Sequence, residues 1–159
     1  GATGFIGRNT AEYFADHTDF EVYGSYFKST PLNHAKIQMV QADLTKQIDV
    51  DRVIRGMNFV IQAAAVTSGI KDVTDNPHAF ISDNAVMNSL IFRSAFDHSV
   101  DHAILTSCTV MYQSSEDPLK ETDFDANQEM YPTYFGGGWN KVYFENCPTT
   151  HIVTNTCRT

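Results

Sequence analysis

Three glycines at three-residue spacing open the chain, in Gly1-Ala2-Thr3-Gly4-Phe5-Ile6-Gly7. Glycines so placed let a strand turn tightly into a helix and let backbone N–H groups approach a pyrophosphate. The positive end of the helix then stabilises the phosphate charge. The run predicts a strand–loop–helix unit built for a dinucleotide. Such a loop follows a buried strand, so a strand before Gly1 is expected in the complete fold. A glycine triplet alone is a weak signal, and the downstream residues have to carry the rest.

The pattern after the loop alternates helix and strand. Residues 8–17 predict a helix with Ala11, Phe14 and Ala15 on one face. Residues 20–26 alternate into a strand, 36–40 form a second that ends at Ala42-Asp43-Leu44, and 49–55 predict a short helix closed by Gly56. Asn58 to Ala65 is nearly all apolar, as parallel strands buried on both faces are. Pro77 suits the first turn of a long helix over 78–97, striped by Phe80, Ile81, Val86, Met87, Leu90 and Ile91. Strands at 102–107 and from His151, an exposed acidic loop over 114–130 and a helix at 141–147 complete the reading. With 159 residues, 42% of them hydrophobic, and no internal repeat, the expectation is one α/β domain.

Composition narrows the partners. A net charge of -8 argues against a nucleic-acid groove or an anionic membrane surface, both of which need clustered cations. No apolar run reaches the roughly 18–20 residues that span a bilayer. Cys108, Cys147 and Cys157 lack metal or disulfide-scaffold spacing, which suits reduced thiols in the cytoplasm. His98 and His102 stand four apart, but in a turn between helix and strand, so no metal site is expected.

Four features follow the glycine loop at strand ends, where open α/β sheets bind their ligands. Asp43-Leu44 closes one strand, placing a carboxylate within reach of an adenine amino group. Ala63-Ala64-Ala65 closes the next with side chains small enough for a cofactor to lie against the backbone. Ser107 ends the strand after that, and Lys141 stands in a helix. With these residues in this order, the chain resembles the extended short-chain dehydrogenase/reductases of the nucleotide-sugar epimerase/dehydratase branch. Gly1, Gly4, Phe5, Ile6 and Gly7 match that branch's loop, and Asp83-Asn84 match the segment where an Asn supports the active site. The stretch from Ala63 through Gly69 to Ala95 is most similar to GDP-fucose synthase-like epimerase-reductases.

The resemblance implies a Rossmann-type doubly wound parallel sheet, here without its first strand and carboxyl-terminal substrate domain. It implies NAD or NADP as cofactor and hydride transfer at a carbon of a nucleotide sugar. It also implies a homodimer formed through the helices that carry Asn84 and Lys141. The family uses a Tyr as general acid/base, a Lys four residues later that lowers the tyrosine pKa, and a Ser or Thr on the sugar oxygen. Ser107 and Lys141 carry over. An adjacent cation is needed because a phenol near pKa 10 is a poor base at neutral pH.

The tyrosine does not carry over. Gly137 stands four residues before Lys141, within Gly136-Gly137-Gly138. Tyr134 lies seven residues before the lysine, about 10 Å away on a regular helix, and three glycines make such a helix costly by about 1 kcal/mol each. Tyr134 then serves only if the loop folds inward. Tyr112 is a second candidate, and a chain that binds the cofactor without turnover is the alternative.

Two further positions sort the branch. Dehydratases carry Asp-Glu after the hydroxyl residue, where this chain has Cys108-Thr109, which favours epimerisation or 4-keto reduction. Alternation along an extended segment predicts that Cys108 points away from the face shared by Ser107 and Thr109. NAD-specific members end the second strand with an Asp, whereas this chain has Ser25-Tyr26-Phe27-Lys28. With Lys28 and Arg8 available for a 2′-phosphate, NADP is favoured slightly over NAD.

Overall fold

A computed structural model describes residues 1–66, 75, 77–147 and 152–154. Gly69, His151 and Cys157, named above, lie outside the described residues. The elements run α1 (Phe5–His17), β1 (Val22–Tyr26), β2 (Ile37–Gln41), α2 (Gln47–Ile54), β3 (Phe59–Gln62), α3 (Pro77–Asp97), β4 (His102–Leu105), α4 (Phe135–Glu145) and β5 (Ile152–Thr154). Short 3-10 turns at Thr109–Met111, Glu121–Asp123 and Pro132–Tyr134 join β4 to α4.

All strand pairs within these elements are parallel. β1 pairs with β2, and β3-β4-β5 form a second ladder. Gly1 and Ala2 lie between the two. The Ala2 N–H donates to Ser25 O at 2.9 Å, and Gly1 abuts the backbone of Ala63 and Ala64. The carboxyl ends of β1, β2, β3 and β4 therefore open on the same edge as the glycine loop.

Apolar periodicity accounts for the packing. Ala11 and Ala15 of α1 meet Ile37 of β2. Val50 and Ile54 of α2, Met87, Ile91 and Ala95 of α3, and Ala103 of β4 form the larger cluster. Asp51 of α2 accepts from Ser94 Oγ of α3 at 2.7 Å, and Ser94 is fully buried. α2 gives way to β3 at Gly56, whose φ of +79° is a left-handed turn that favours glycine.

Three expectations change. β3 is shorter than 58–65 and is covered on one face. Val60 packs on the core cluster, but Phe59 and Ile61 on the opposite face are 53% and 37% exposed. Among the described residues, α2 and α3 cover the Val60 face of that ladder. α1 starts at Phe5 rather than at residue 8, because the chain enters the helix directly from the N-cap Gly4. α4 starts at Phe135, so the three glycines are helical.

Candidate functional site

The glycine loop is held by backbone contacts. The Gly4 N–H donates to Gly1 O at 3.2 Å, and Arg8 N–H donates to Gly4 O at 2.8 Å. A Cβ on Gly1 would stand 2.5 Å from the Cα and N of Ala64, and one on Gly7 would collide with Gly1 O. At Gly4 the nearest atom to such a Cβ is 3.5 Å away, which leaves its outer side open. Phe5 and Ile6 occupy the exposed first turn of α1, where N–H groups have no partner within the helix.

The floor beside this loop is held by three side-chain amides. Gln62 Nε2 donates to Ala64 O at 3.0 Å, and Ala64 N–H donates back to Gln62 Oε1 at 3.2 Å. Gln62 also reaches Asn88 Oδ1 at 3.1 Å, and both side chains are buried. Asn84 accepts from Val66 N–H at 2.9 Å and donates to Val66 O at 3.0 Å. Asn84 thus fixes the path beyond Ala65. Neither Gln62 nor Asn88 stood out in the sequence as a site residue. Their signal is a pair of amides at otherwise apolar positions, one on the covered face of a strand and one in the helix that covers it.

Asp43 sits at the end of β2. Its Oδ1 accepts from Thr45 N–H at 3.1 Å and Thr45 Oγ1 at 2.6 Å, and these bonds hold the carboxyl below its ordinary pKa. Leu44 packs against the larger core cluster. Lys28 lies over the Phe27 ring at 4.9 Å, while Arg8 bonds Glu12 at 2.8 Å. Arg8, Thr3, Ser29 and Thr30 line a cavity of about 370 Å³ beside the loop, and Thr3 and Ser29 hydroxyls lie 2.7 Å apart. Of the two cations expected for a 2′-phosphate, the structure brings Arg8 to this cavity.

A second cavity of about 520 Å³ opens after β4, lined by Ser107, Cys108, Thr109, Tyr112, Lys120 and Glu145 among others. Alternation ends here because the chain winds into the Thr109–Met111 turn, so Cys108 lines the cavity together with Ser107 and Thr109. Cys108 also packs on the Met111–Met130–Val142 cluster. Burial pushes its thiol pKa up, against the pull of the Lys141 charge. Lys141 Nζ donates to Thr106 O at 2.6 Å. Burial pushes this ammonium below its ordinary pKa, with Cys108 and Glu145 acting in the opposite direction. Ser107 Oγ donates to Glu145 Oε1.

The glycine triplet is a contact surface. A Cβ on Gly136 would strike the Ile81 side chain, one on Gly137 would lie 2.6 Å from Phe80 Cε1, and one on Gly138 would lie 2.5 Å from Met130 Sδ. α4 therefore packs closely against α3, and this packing offsets the glycine cost in helix propensity. Tyr134 is the N-cap of α4, two turns before Lys141, whereas Tyr112 lines the cavity with Ser107. Burial raises the Tyr112 pKa, with Glu121 and Glu145 adding to the shift.

A parallel α/β array with a glycine loop at its carboxyl edge defines a dinucleotide-binding domain of the Rossmann type. The chain belongs to the NAD dependent epimerase/dehydratase family, whose model matches residues 1–134. Among solved structures it is similar to an epimerase from the methanogen Methanothermobacter thermautotrophicus, with 20% identity and a TM-score of 0.77 over 97% of this chain and 48% of that one. It is also similar to MlghC, a GDP-mannoheptose C4 reductase from Campylobacter jejuni with NADP bound. That likeness has 16% identity and a TM-score of 0.74, over 97% of this chain and 48% of that one. A mutant uronate dehydrogenase from Agrobacterium tumefaciens complexed with NAD matches at 20% identity and a TM-score of 0.66, over 92% and 51%. The chain spans about half the length of these proteins. No curated protein sequence matches. No described helix is long and apolar enough to cross a membrane, and no group of potential metal ligands occurs among the described residues.

Proposed function

We propose that the chain is the NAD(P)-binding domain of a nucleotide-sugar epimerase or 4-keto-sugar reductase. The observation that carries this reading is the open backbone at Gly4 beside the Ala63–Ala64 floor, on the same sheet edge as Ser107 and Lys141. Gly1, Gly4, Phe5, Ile6 and Gly7 would hold the pyrophosphate, Asp43 and Leu44 the adenine side, and Ala63, Ala64 and Ala65 the face of the cofactor. Asn84 would keep that floor in place. When bound, the nicotinamide supplies or accepts the hydride.

Lys141 has its ammonium at the end of β4, placed to hold a ribose hydroxyl and to favour a neighbouring phenolate. Ser107 would hydrogen-bond the sugar oxygen. Tyr112 and Tyr134 are the two candidate phenols, and Tyr112 is the one that lines the cavity. NADP is preferred over NAD, because Arg8, Thr3, Ser29 and Thr30 surround a cavity next to the loop and the corresponding segment lacks a carboxylate. A reduced, cytoplasmic enzyme that pairs through α3 and α4 completes the proposal.

Calorimetry of the full-length protein with NADP and with NAD tests it, and failure to bind either one rejects it. Turnover of GDP-, UDP-, dTDP- or CDP-4-keto sugars separates this reading from a second one, a cofactor-binding relative without catalysis. Gly137 at the usual tyrosine position favours that second reading. Binding of cofactor with no turnover of any of these sugars would support it.

A further inference from the structure

We propose that Glu12 is a specificity-determining residue that narrows the preference of this site for NADP over NAD. This rests on the reading of the cavity beside the glycine loop as the place of the cofactor's 2′ group. Arg8 and Glu12 stand one helical turn apart on α1, and both line that cavity of about 370 Å³. Arg8 Nε donates to Glu12 Oε1 at 2.8 Å, and the Glu12 side chain is 33% exposed.

The cavity therefore holds charge of both signs. Its other lining residues, Thr3, Ser29, Thr30 and Asn33 among them, are uncharged. Lys28 lies over the Phe27 ring and does not line it. Arg8 and Glu12 thus cancel in formal charge. The segment after β1 supplies no carboxylate to this corner, and α1 supplies one instead.

What a ligand meets here depends on its 2′ group. A 2′-phosphate is an anion, attracted by Arg8 and repelled by Glu12. A 2′-hydroxyl is uncharged and carries a proton that a carboxylate can accept. Arg8 engages one Glu12 oxygen, and Oε2 has no hydrogen-bond partner among the described residues. The Thr3 and Ser29 hydroxyls, 2.7 Å apart, donate or accept and so serve either group. Arg8 is then the lining group that favours NADP, and Glu12 the one that favours NAD. The effect is moderate, because the cavity opens to water. One carboxylate charge in such a cavity, screened by solvent and salt, changes phosphate affinity by about threefold to tenfold.

The test is calorimetry of the full-length protein with NADP and with NAD, in wild type and Glu12→Gln. Glutamine keeps the shape and an amide oxygen that accepts from Arg8 Nε, so the charge alone is lost. The ratio of NADP to NAD affinity is expected to rise by about threefold or more. Glu12→Asp keeps the charge and should hold the ratio near the wild-type value. Glu12→Ala replaces the glutamine variant if that one does not fold, and the same rise is expected. An unchanged or lower ratio in the glutamine or alanine variant overturns the proposal, as does an equal rise in Glu12→Asp. A merely structural role would weaken both cofactors together and leave the ratio unmoved. Wild-type protein that binds neither cofactor rejects the proposed function and this inference with it. Binding of both with a constant ratio rejects this inference alone.

Discussion

Asn84 grips the peptide groups on either side of Val66, accepting its N–H at 2.9 Å and donating to its carbonyl at 3.0 Å. The same amide reaches Phe80 O at 2.7 Å, so one side chain ties the segment after β3 to α3. Asn84→Ala leaves a partly buried N–H and C=O without partners, at a cost of about 1–3 kcal/mol. Asn84→Asp keeps the acceptor but loses the donor and should fall between the two. Urea unfolding checks the order, and equal stability of all three proteins would contradict the clamp.

Gly4 and Gly7 of the loop should respond differently to alanine. Gly4→Ala has room, so its stability should stay within about 0.5 kcal/mol of wild type, as ordinary surface changes do. Its NADP affinity should still drop by roughly tenfold or more, equivalent to about 1.4 kcal/mol, because the methyl occupies the side open to a phosphate. Gly7→Ala drives a methyl into Gly1 O and should lose about 1–3 kcal/mol of stability before any ligand is added. Thermal unfolding beside calorimetry separates the two outcomes.

Restoring a tyrosine four residues before Lys141 is sterically conditional. Gly137→Tyr places its Cβ against the Phe80 ring and should destabilise by about 1–3 kcal/mol. Adding Phe80→Ala removes the obstructing ring, so the double variant should recover part of the loss rather than sum two losses. A double-mutant cycle measured by denaturant unfolding gives the sign of the coupling. Additive destabilisation would contradict the contact.

Asp51 ties acid stability to the α2–α3 contact. Its carboxyl is held below the ordinary carboxylate pKa first by Ser94 and then by Gln47 and His98. A folded-state pKa below the unfolded one contributes stability above about pH 4, and that contribution is lost as pH falls through the depressed value. Ser94→Ala should therefore be less stable than wild type at pH 7, with the gap closing toward pH 2. Urea midpoints across that range test this, and a gap that widens in acid would refute it.

Strand and helix order was legible from residue pattern, because parallel strands and amphipathic helices leave strong apolar periodicities. Boundaries were less so. β3 stops at Gln62 although Ala63, Ala64 and Ala65 continue the apolar run, since the Gln62 side chain replaces a strand partner for Ala64. The helical state of Gly136, Gly137 and Gly138 was hidden for a similar reason. Intrinsic propensity opposes it, and the compensating partners Ile81 and Phe80 lie more than fifty residues away in sequence. Ser107 and Lys141 were expected from motif, whereas the bond from Ser107 to Glu145 needed coordinates, because i,i+4 spacing from Lys141 does not reveal it.

The reciprocal bonds between Gln62 and Ala64 have a thermodynamic consequence for binding. A loop that must become ordered around a ligand loses affinity to that ordering, at about 1–2 kcal/mol for each residue fixed. Here β3 orders its own continuation through an internal amide, and Asn88 holds that amide in turn. The entropy is lost when the protein folds. A dinucleotide that settles on Ala63 and Ala64 would find its resting surface already in one conformation.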